Sequence, residues 1–318
     1  MMKPVLKNIL QLPETFLMSL LAGIFILISQ LDPSFLSWEV QRELSSHIWE
    51  LAIIAIPMTL IILTAGIDLS VGSIMSLSAI TVGILFQAGL PVSLACLIAL
   101  IVGTLSGFFN GLLISKMKVH PLIITLATMA AYRGISEGIS QAKPVSGFPE
   151  VFNHLGQGQL FHLPVAGWIF AILFVVVTWM MHRRPSGVYI YAIGNNETAS
   201  RFSGVNVDRI LLILYTFSGF ASSLAALLFV ARRNTAKADI GTGMELGVIT
   251  AVVIGGVSIF GGRGTLLGAC LGILLIHETR EFVSWHWNRD ELNMIVLGTL
   301  LIVSVVFQKF LRHKQSST

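Results

Sequence analysis

The sequence predicts an all-α membrane protein, a polytopic bundle of about ten transmembrane helices with broken helices among them. Three observations carry that prediction. The mean hydropathy is +0.82. Hydrophobic residues make up 54% of the 318 and charged residues 11%, a balance outside the range of soluble globular chains. The apolar residues also come in runs long enough to cross a bilayer, which takes ~20 residues as a helix. Pro, Gly or charge bounds each run, and no linker or low-complexity stretch intervenes, so residues 1–318 read as a single transmembrane domain.

The runs fall at about 14–31, 48–65, 69–88, 91–115, 120–140, 164–181, 209–231, 244–260, 265–281 and 292–308, with ends good to a few residues. Lys3 and Lys7 precede the first run and no small-residue cleavage site follows it, so it is read as a retained span. Ten spans put both termini on one side. With that side cytoplasmic, the inner Lys and Arg are 3, 7, 116, 118, 183, 184, 201, 209, 263, 309, 312 and 314, twelve of the twenty in the chain. The excess agrees with the positive-inside rule. Arg232, Arg233 and Lys237 break it, which fits either a docking surface for an acidic partner or a miscounted span.

Gly103, Gly107 and Gly111 recur every four residues on one span, and Gly264, Gly268 and Gly272 on another. Small residues at that spacing let helix backbones approach closely where lipid supplies no hydrophobic drive for association. Trp168, Trp179, Trp285 and Trp287 fall near predicted span ends, as an aromatic belt requires. The net charge of +4 is small and dispersed, so no nucleic-acid partner is expected. Cys96 and Cys270 stand alone in apolar runs, without disulfide or metal-ligand spacing.

Thr64–Ser73 reads TAGIDLSVGS and holds Asp68, the one carboxylate between Glu50 and Glu137. A charge at the bilayer centre costs ~3 kcal/mol on insertion scales, so Asp68 is expected to cap a helix, find a partner or meet water. Gly66 can end one half-helix, and Asp68 or Ser70 can cap the next. Such a break is tolerated where it is buried in protein or lines a cavity. Capping, contact with a polar solute and a proton relay all remain open for Asp68.

Thr242–Gly264 places Glu245 at the mouth of a span opposite to the termini. Gly255 and Gly256, then Gly261, Gly262, Arg263 and Gly264, suit a tight turn between spans, and no phosphate loop or dinucleotide fingerprint is present. His277-Glu278 lacks the second histidine of a zincin, and no nucleophile–base pair or carboxylate pair can be assembled. No catalytic site and no metal site is expected. His182–Arg209, by contrast, is polar and lies between two spans. Asn195 or Asn196 sits where an N-cap belongs, Glu197 suits the first turn, and Gly204 is placed to end a short helix. A solvated loop explains the same spacing; so does a helix gripped by a soluble partner.

GIDLSVGS at 66–73, AIGNNETASRFSGVNV at 192–207 and ELGVITAVVIGGVSIFGGRGTLLG at 245–268 together resemble the permeases of sugar-type ATP-binding cassette importers, the ribose, arabinose, galactose, rhamnose and autoinducer-2 permeases. The resemblance runs in order along nearly the whole chain. It implies about ten helices with a cytoplasmic coupling helix, a second permease copy or paralogue, and an ATP-binding cassette subunit that binds and hydrolyses the ATP. It further implies a periplasmic sugar-binding protein and an inner-membrane location, with no cofactor on this chain. Residue by residue, Gly194, Asn195, Glu197, Ala199, Arg201, Ser203 and Gly204 match the coupling segment. Asp68, Ser70, Gly72 and Ser73 match a motif along the translocation path, and Glu245, Gly255, Gly256, Gly261, Gly262 and Gly264 match the third motif. Thr198 and Ser200 stand where small apolar residues are usual, and Met244 and Gly247 replace an aromatic and an acid, so an unusual solute or binding-protein preference is implied. Broken helices with an intramembrane acid also suit an ion-gradient-driven secondary transporter of a small polar solute. That alternative leaves the coupling segment unexplained.

Overall fold

The computed structural model describes residues 13–161, 163–287 and 289–316; Lys3 and Lys7 lie outside them. The side chains of residues 13–16, 290, 304–305 and 307–316 also lie outside the description. Helices dominate: α1 Pro13–Leu31, α2 Trp38–Leu44, α3 Trp49–Leu63, α4 Val71–Gln87, α5 Val92–Met117, α6 Pro121–Ser140 and α7 Glu150–Gln157. They are followed by α8 Val165–Arg183, α9 Pro185–Asn195, α10 Glu197–Phe202, α11 Val207–Arg233, α12 Met244–Ile254, α13 Leu266–Trp287 and α14 Asp290–Ser316. Two short antiparallel pairs complete the description, β1 Val145–Ser146 with β4 Thr235–Ala236, and β2 Gln159–Leu160 with β3 Leu163–Pro164.

The all-α expectation for a multi-pass membrane protein agrees with this architecture. Among the described residues three helices, α5, α8 and α11, are long and apolar enough to cross a membrane singly. A fourth span arises if Trp38–His47 and Trp49–Leu63, bent by 49°, count as one broken span. α4 and α12 are shorter than a full crossing, 17 and 11 residues. The sequence reads them as spans of 69–88 and 244–260; α4 fills the first almost end to end, whereas the second is helical only to Ile254.

The centre of the bundle is α5 crossing α11. A Cβ on Gly107 would strike the Tyr215 carbonyl and lie 2.8 Å from the Gly219 Cα, and one on Gly111 would lie 3.0 Å from the Leu212 Cα. The four-residue glycine spacing therefore marks a backbone-to-backbone contact. A second seam joins α12 to α13, where Gly268 and Gly272 meet Gly255 and the Ala251 carbonyl. α3 and α4 form the buried core between these seams: every residue of α3 from Glu50 to Leu63 is buried. α8 shows the opposite pattern, burying only Ala166, Val177 and Met181, and turns its remaining surface outward.

These contacts fix two ends of the bundle. At the near end lie α9, α10, the start of α11 and the end of α3. At the far end, Arg232 Nε donates to Glu50 Oε1 at 2.9 Å in a largely buried ion pair. Arg232 is thus neutralised inside the protein, which removes it from the candidate docking charges; Arg233 and Lys237 are exposed.

Candidate functional site

Between α3 and α4 the chain leaves helical geometry at Thr64 and re-enters it at Val71. Asp68 organises this break. Its Oδ1 accepts the Ser70 N–H at 3.0 Å and the Ser70 hydroxyl at 2.6 Å, and its Oδ2 accepts the Ser218 hydroxyl of α11 at 2.7 Å. The carboxyl is fully buried. Asn110 of α5 donates to Ser70 Oγ at 2.8 Å, and Tyr132 of α6 donates to Asn110 Oδ1 at 3.2 Å. Thr125 donates to the Ile67 carbonyl at 3.2 Å. The freed polar groups of the break are thus taken up by neighbouring helices, as low-dielectric surroundings demand. Ser218 is eleven residues into α11, ~16 Å at 1.5 Å per residue, so the break lies well inside the bundle.

A second irregular stretch, Thr235–Gly243, runs between α11 and α12. It begins at the far end, where β4 pairs with β1 and Ala236 lies against Gly83. It then descends along α4. Ser76 Oγ donates to the Ala238 carbonyl, and the Gly241 carbonyl rests against Gly72. Gly83 and Gly72 are eleven residues apart on α4, so this strap reaches ~16 Å into the bundle before α12 starts, about half the ~30 Å hydrocarbon thickness. Glu245 stands in the first turn of α12, beside Gly72 of α4. A carboxylate in that first turn suits the dipole of α12.

Arg133 of α6 anchors the strap. Its Nη1 donates to the carbonyls of Ala238 and Ile240, the latter at 2.9 Å, and its Nη2 to the Gly72 carbonyl at 3.3 Å. Sequence reasoning gave Arg133 no role. A signal was present, since Thr125, Thr128, Tyr132, Ser136 and Ser140, spaced three to four apart, form a polar buried stripe on α6.

At the near end α10 has the geometry expected of a capped helix. The Asn196 side chain accepts the Ala199 N–H at 2.9 Å, and Gly204, at φ +85°, turns the chain back toward α11. Arg201 donates to Glu197 Oε1 at 2.9 Å and to Asp208 Oδ1 at 2.6 Å, tying α10 to α11. The Asp208 bond, with help from Glu197, raises the Arg201 pKa above its ordinary value. Phe202 is 89% exposed at the end of this braced helix. Gly194, at the end of α9, lies directly against the Leu63 carbonyl and the Gly262 N–H, and Gly262 N–H donates to Leu63 O at 2.9 Å. Gly261 adds a contact to Ala65. Two of the three sequence motifs therefore meet the first break at one place.

Of the other sequence-selected residues, Ser70 and Ser73 are fully buried with Asp68, while Gly72 and Glu245 meet at the strap. Gly255 and Gly256 end α12, with Gly255 against Gly268 and Gly264 against Val257. Asn195 bonds back to the Tyr191 carbonyl at 2.9 Å, and Ser203 to the Ala199 carbonyl at 2.9 Å.

Comparison with known proteins places this arrangement. A ribose import permease protein of Haemophilus influenzae is 35% identical over 297 residues, 91% of this chain and 91% of its own length. An autoinducer 2 import system permease protein of Yersinia enterocolitica is 37% identical over 270 residues, 83% of this chain and 82% of its own. One from Yersinia pseudotuberculosis is 36% identical over the same length. No solved structure matches. The family model described as "Branched-chain amino acid transport system / permease component" matches residues 44–305, and the chain belongs to that family of transport permeases.

Proposed function

We propose that this chain is the membrane-spanning subunit of an ATP-binding cassette importer in the inner membrane, carrying a sugar or sugar-like solute such as a pentose, hexose, deoxy-sugar or autoinducer-2. Its relatives are named for ribose and autoinducer-2, which supports a small polyhydroxylated solute over an amino acid. A periplasmic sugar-binding protein delivers the solute. The chain itself carries about ten spans with both termini cytoplasmic, and it pairs with a second copy or a paralogue. It hydrolyses nothing itself; the ATP is bound by a separate ATP-binding subunit.

The observation that carries this reading is the near-end construction. α10 is capped at its start and turned at its end, braced to α11 through Arg201, and continuous with α9, whose Gly194 presses on the Leu63 carbonyl. A push on α10 reaches the α3–α4 break without crossing a flexible link. In this reading α10 is the coupling helix, Gly194, Asn195, Glu197, Ala199, Arg201, Ser203 and Gly204 are its functional residues, and nucleotide-driven closure of the partner tilts the spans.

The test is co-purification in mild detergent of the chain with its ATP-binding partner, repeated with Arg201→Glu. Charge reversal places Glu197, Asp208 and a new carboxylate together, and the expected result is an inserted chain that no longer retains the ATPase. Retention by both forms removes the mechanical role assigned to α10.

A further inference from the structure

The strap Thr235–Gly243 is non-helical backbone inside the bundle, and side chains of neighbouring helices satisfy part of it. A helix satisfies its own carbonyls, whereas a run of turns inside the bundle must borrow donors from its neighbours for the carbonyls it leaves open. The Ala238 carbonyl takes one from Ser76 of α4 and one from Arg133 of α6; the Ile240 carbonyl takes one from Arg133. Within the strap itself the turns are local, Ile240 N–H to Lys237 O at 3.4 Å and Thr242 N–H to Asp239 O at 3.2 Å. Arg133 is twelve residues into α6, ~18 Å from its start, so the guanidinium is itself near mid-depth. The planar fork suits this place: one nitrogen serves two strap carbonyls while the other reaches Gly72 O, a spread that the single ammonium of lysine does not offer.

The face of the strap turned away from α4 is open and polar. Asp239 and Thr242 are exposed, Glu137 is exposed one turn from Arg133 on α6, and Cβ atoms built on Gly134 and Gly138 meet nothing within 4 Å. Glu245, Glu137 and Asp239 all lie within electrostatic reach of the Arg133 guanidinium. Polar groups exposed at this depth are compatible with water or protein and not with acyl chains. Asp68, Ser70 and Ser73, by contrast, are fully buried.

We infer that Arg133 is the positioning residue of the solute path, holding the strap as a water-facing wall whose exposed turn carries Asp239 and Thr242. This rests on the import reading in taking the path to exist. Because the strap is held by borrowed donors, it can repack without unwinding a helix, and Arg133 sets which arrangement it rests in.

The experiment uses the full chain in membrane vesicles with its partner subunits, Cys96 and Cys270 replaced by Ala, and Thr242→Cys added. A membrane-impermeant charged thiosulfonate is the probe. Thr242→Cys is expected to label despite its depth. Adding Arg133→Met is expected to change the labelling rate by about tenfold, since the strap loses two hydrogen bonds to a charged donor. It is also expected to abolish uptake while the ATP-binding subunit stays bound and continues to hydrolyse ATP, a separation that simple misfolding does not give. Arg133→Lys is expected to fall between. An inert Thr242→Cys, or unchanged labelling and uptake in Arg133→Met, overturns the inference. If Arg133→Met does not accumulate, Ser76→Ala, which removes one donor from the same Ala238 carbonyl, must shift the labelling rate, and no shift overturns it equally. An inert Thr242→Cys on a chain that still holds its ATPase leaves the import reading intact. Loss of the ATPase from the native chain strikes that reading instead, while labelling is read on the inserted chain alone.

Discussion

The α5–α11 pair and the strap beside it meet the same requirement in opposite ways. Both must satisfy backbone groups inside the membrane-spanning bundle. α5 and α11 do it with helices that satisfy themselves and then press together through Gly107 and Gly219. The strap does it with borrowed donors, Arg133 and Ser76. The first arrangement has one tight solution and resists change; the second depends on a few exchangeable bonds and is suited to movement. The break at Asp68 stands between them, irregular in backbone but tied down by three hydrogen bonds to one carboxyl.

That comparison is broken most forcefully at the glycine seam. Gly107→Leu would drive a side chain into the Tyr215 carbonyl and Gly219, and a loss of about 3 kcal/mol or more is expected from such overpacking. Gly134→Leu, on the open face of α6, is expected to change stability by less than about 0.5 kcal/mol. Thermal unfolding of the two variants in detergent measures the contrast, and equal losses would show that α6 is packed where the structure leaves it open.

A smaller effect is expected at the first break. Asp68→Ala leaves the Ser70 N–H and the Ser218 hydroxyl without their buried acceptor, a cost of about 2 kcal/mol. The loss should appear as reduced stability before any change in solute affinity. A variant that keeps native stability and loses only transport would move Asp68 from the frame of the path to its surface. Smallest is Asn196→Ala, which removes the cap on Ala199 and should cost about 1 kcal/mol. The change is confined to α10 and would show in amide exchange there, with α11 unaffected.

Much of the regular structure was legible in the sequence. Gly103, Gly107 and Gly111 announced a close helix contact by spacing alone, and Asn196, Glu197 and Gly204 announced the capped helix α10, because caps and small-residue seams are written in local sequence. The strap was not legible. Hydropathy reads composition over a window, so Met244–Phe260 looked like a whole span, although α12 is 11 residues long. The chain preceding it is a run of turns whose partners, Gly72, Ser76 and Arg133, lie more than a hundred residues away in sequence. Arg232 misled for a related reason: counting positive charge ignores Glu50, with which it is paired inside the protein.

In the proposed function the bundle is driven from α10 by a partner's ATP cycle. The most direct test is uptake of labelled ribose or autoinducer-2 by proteoliposomes containing this chain, its ATP-binding subunit and its binding protein, with and without ATP and with and without an ionophore. Uptake that requires ATP and persists in the ionophore is the expected result. Uptake that stops when ion gradients are collapsed, with ATP still supplied, contradicts it and makes the chain a gradient-driven transporter.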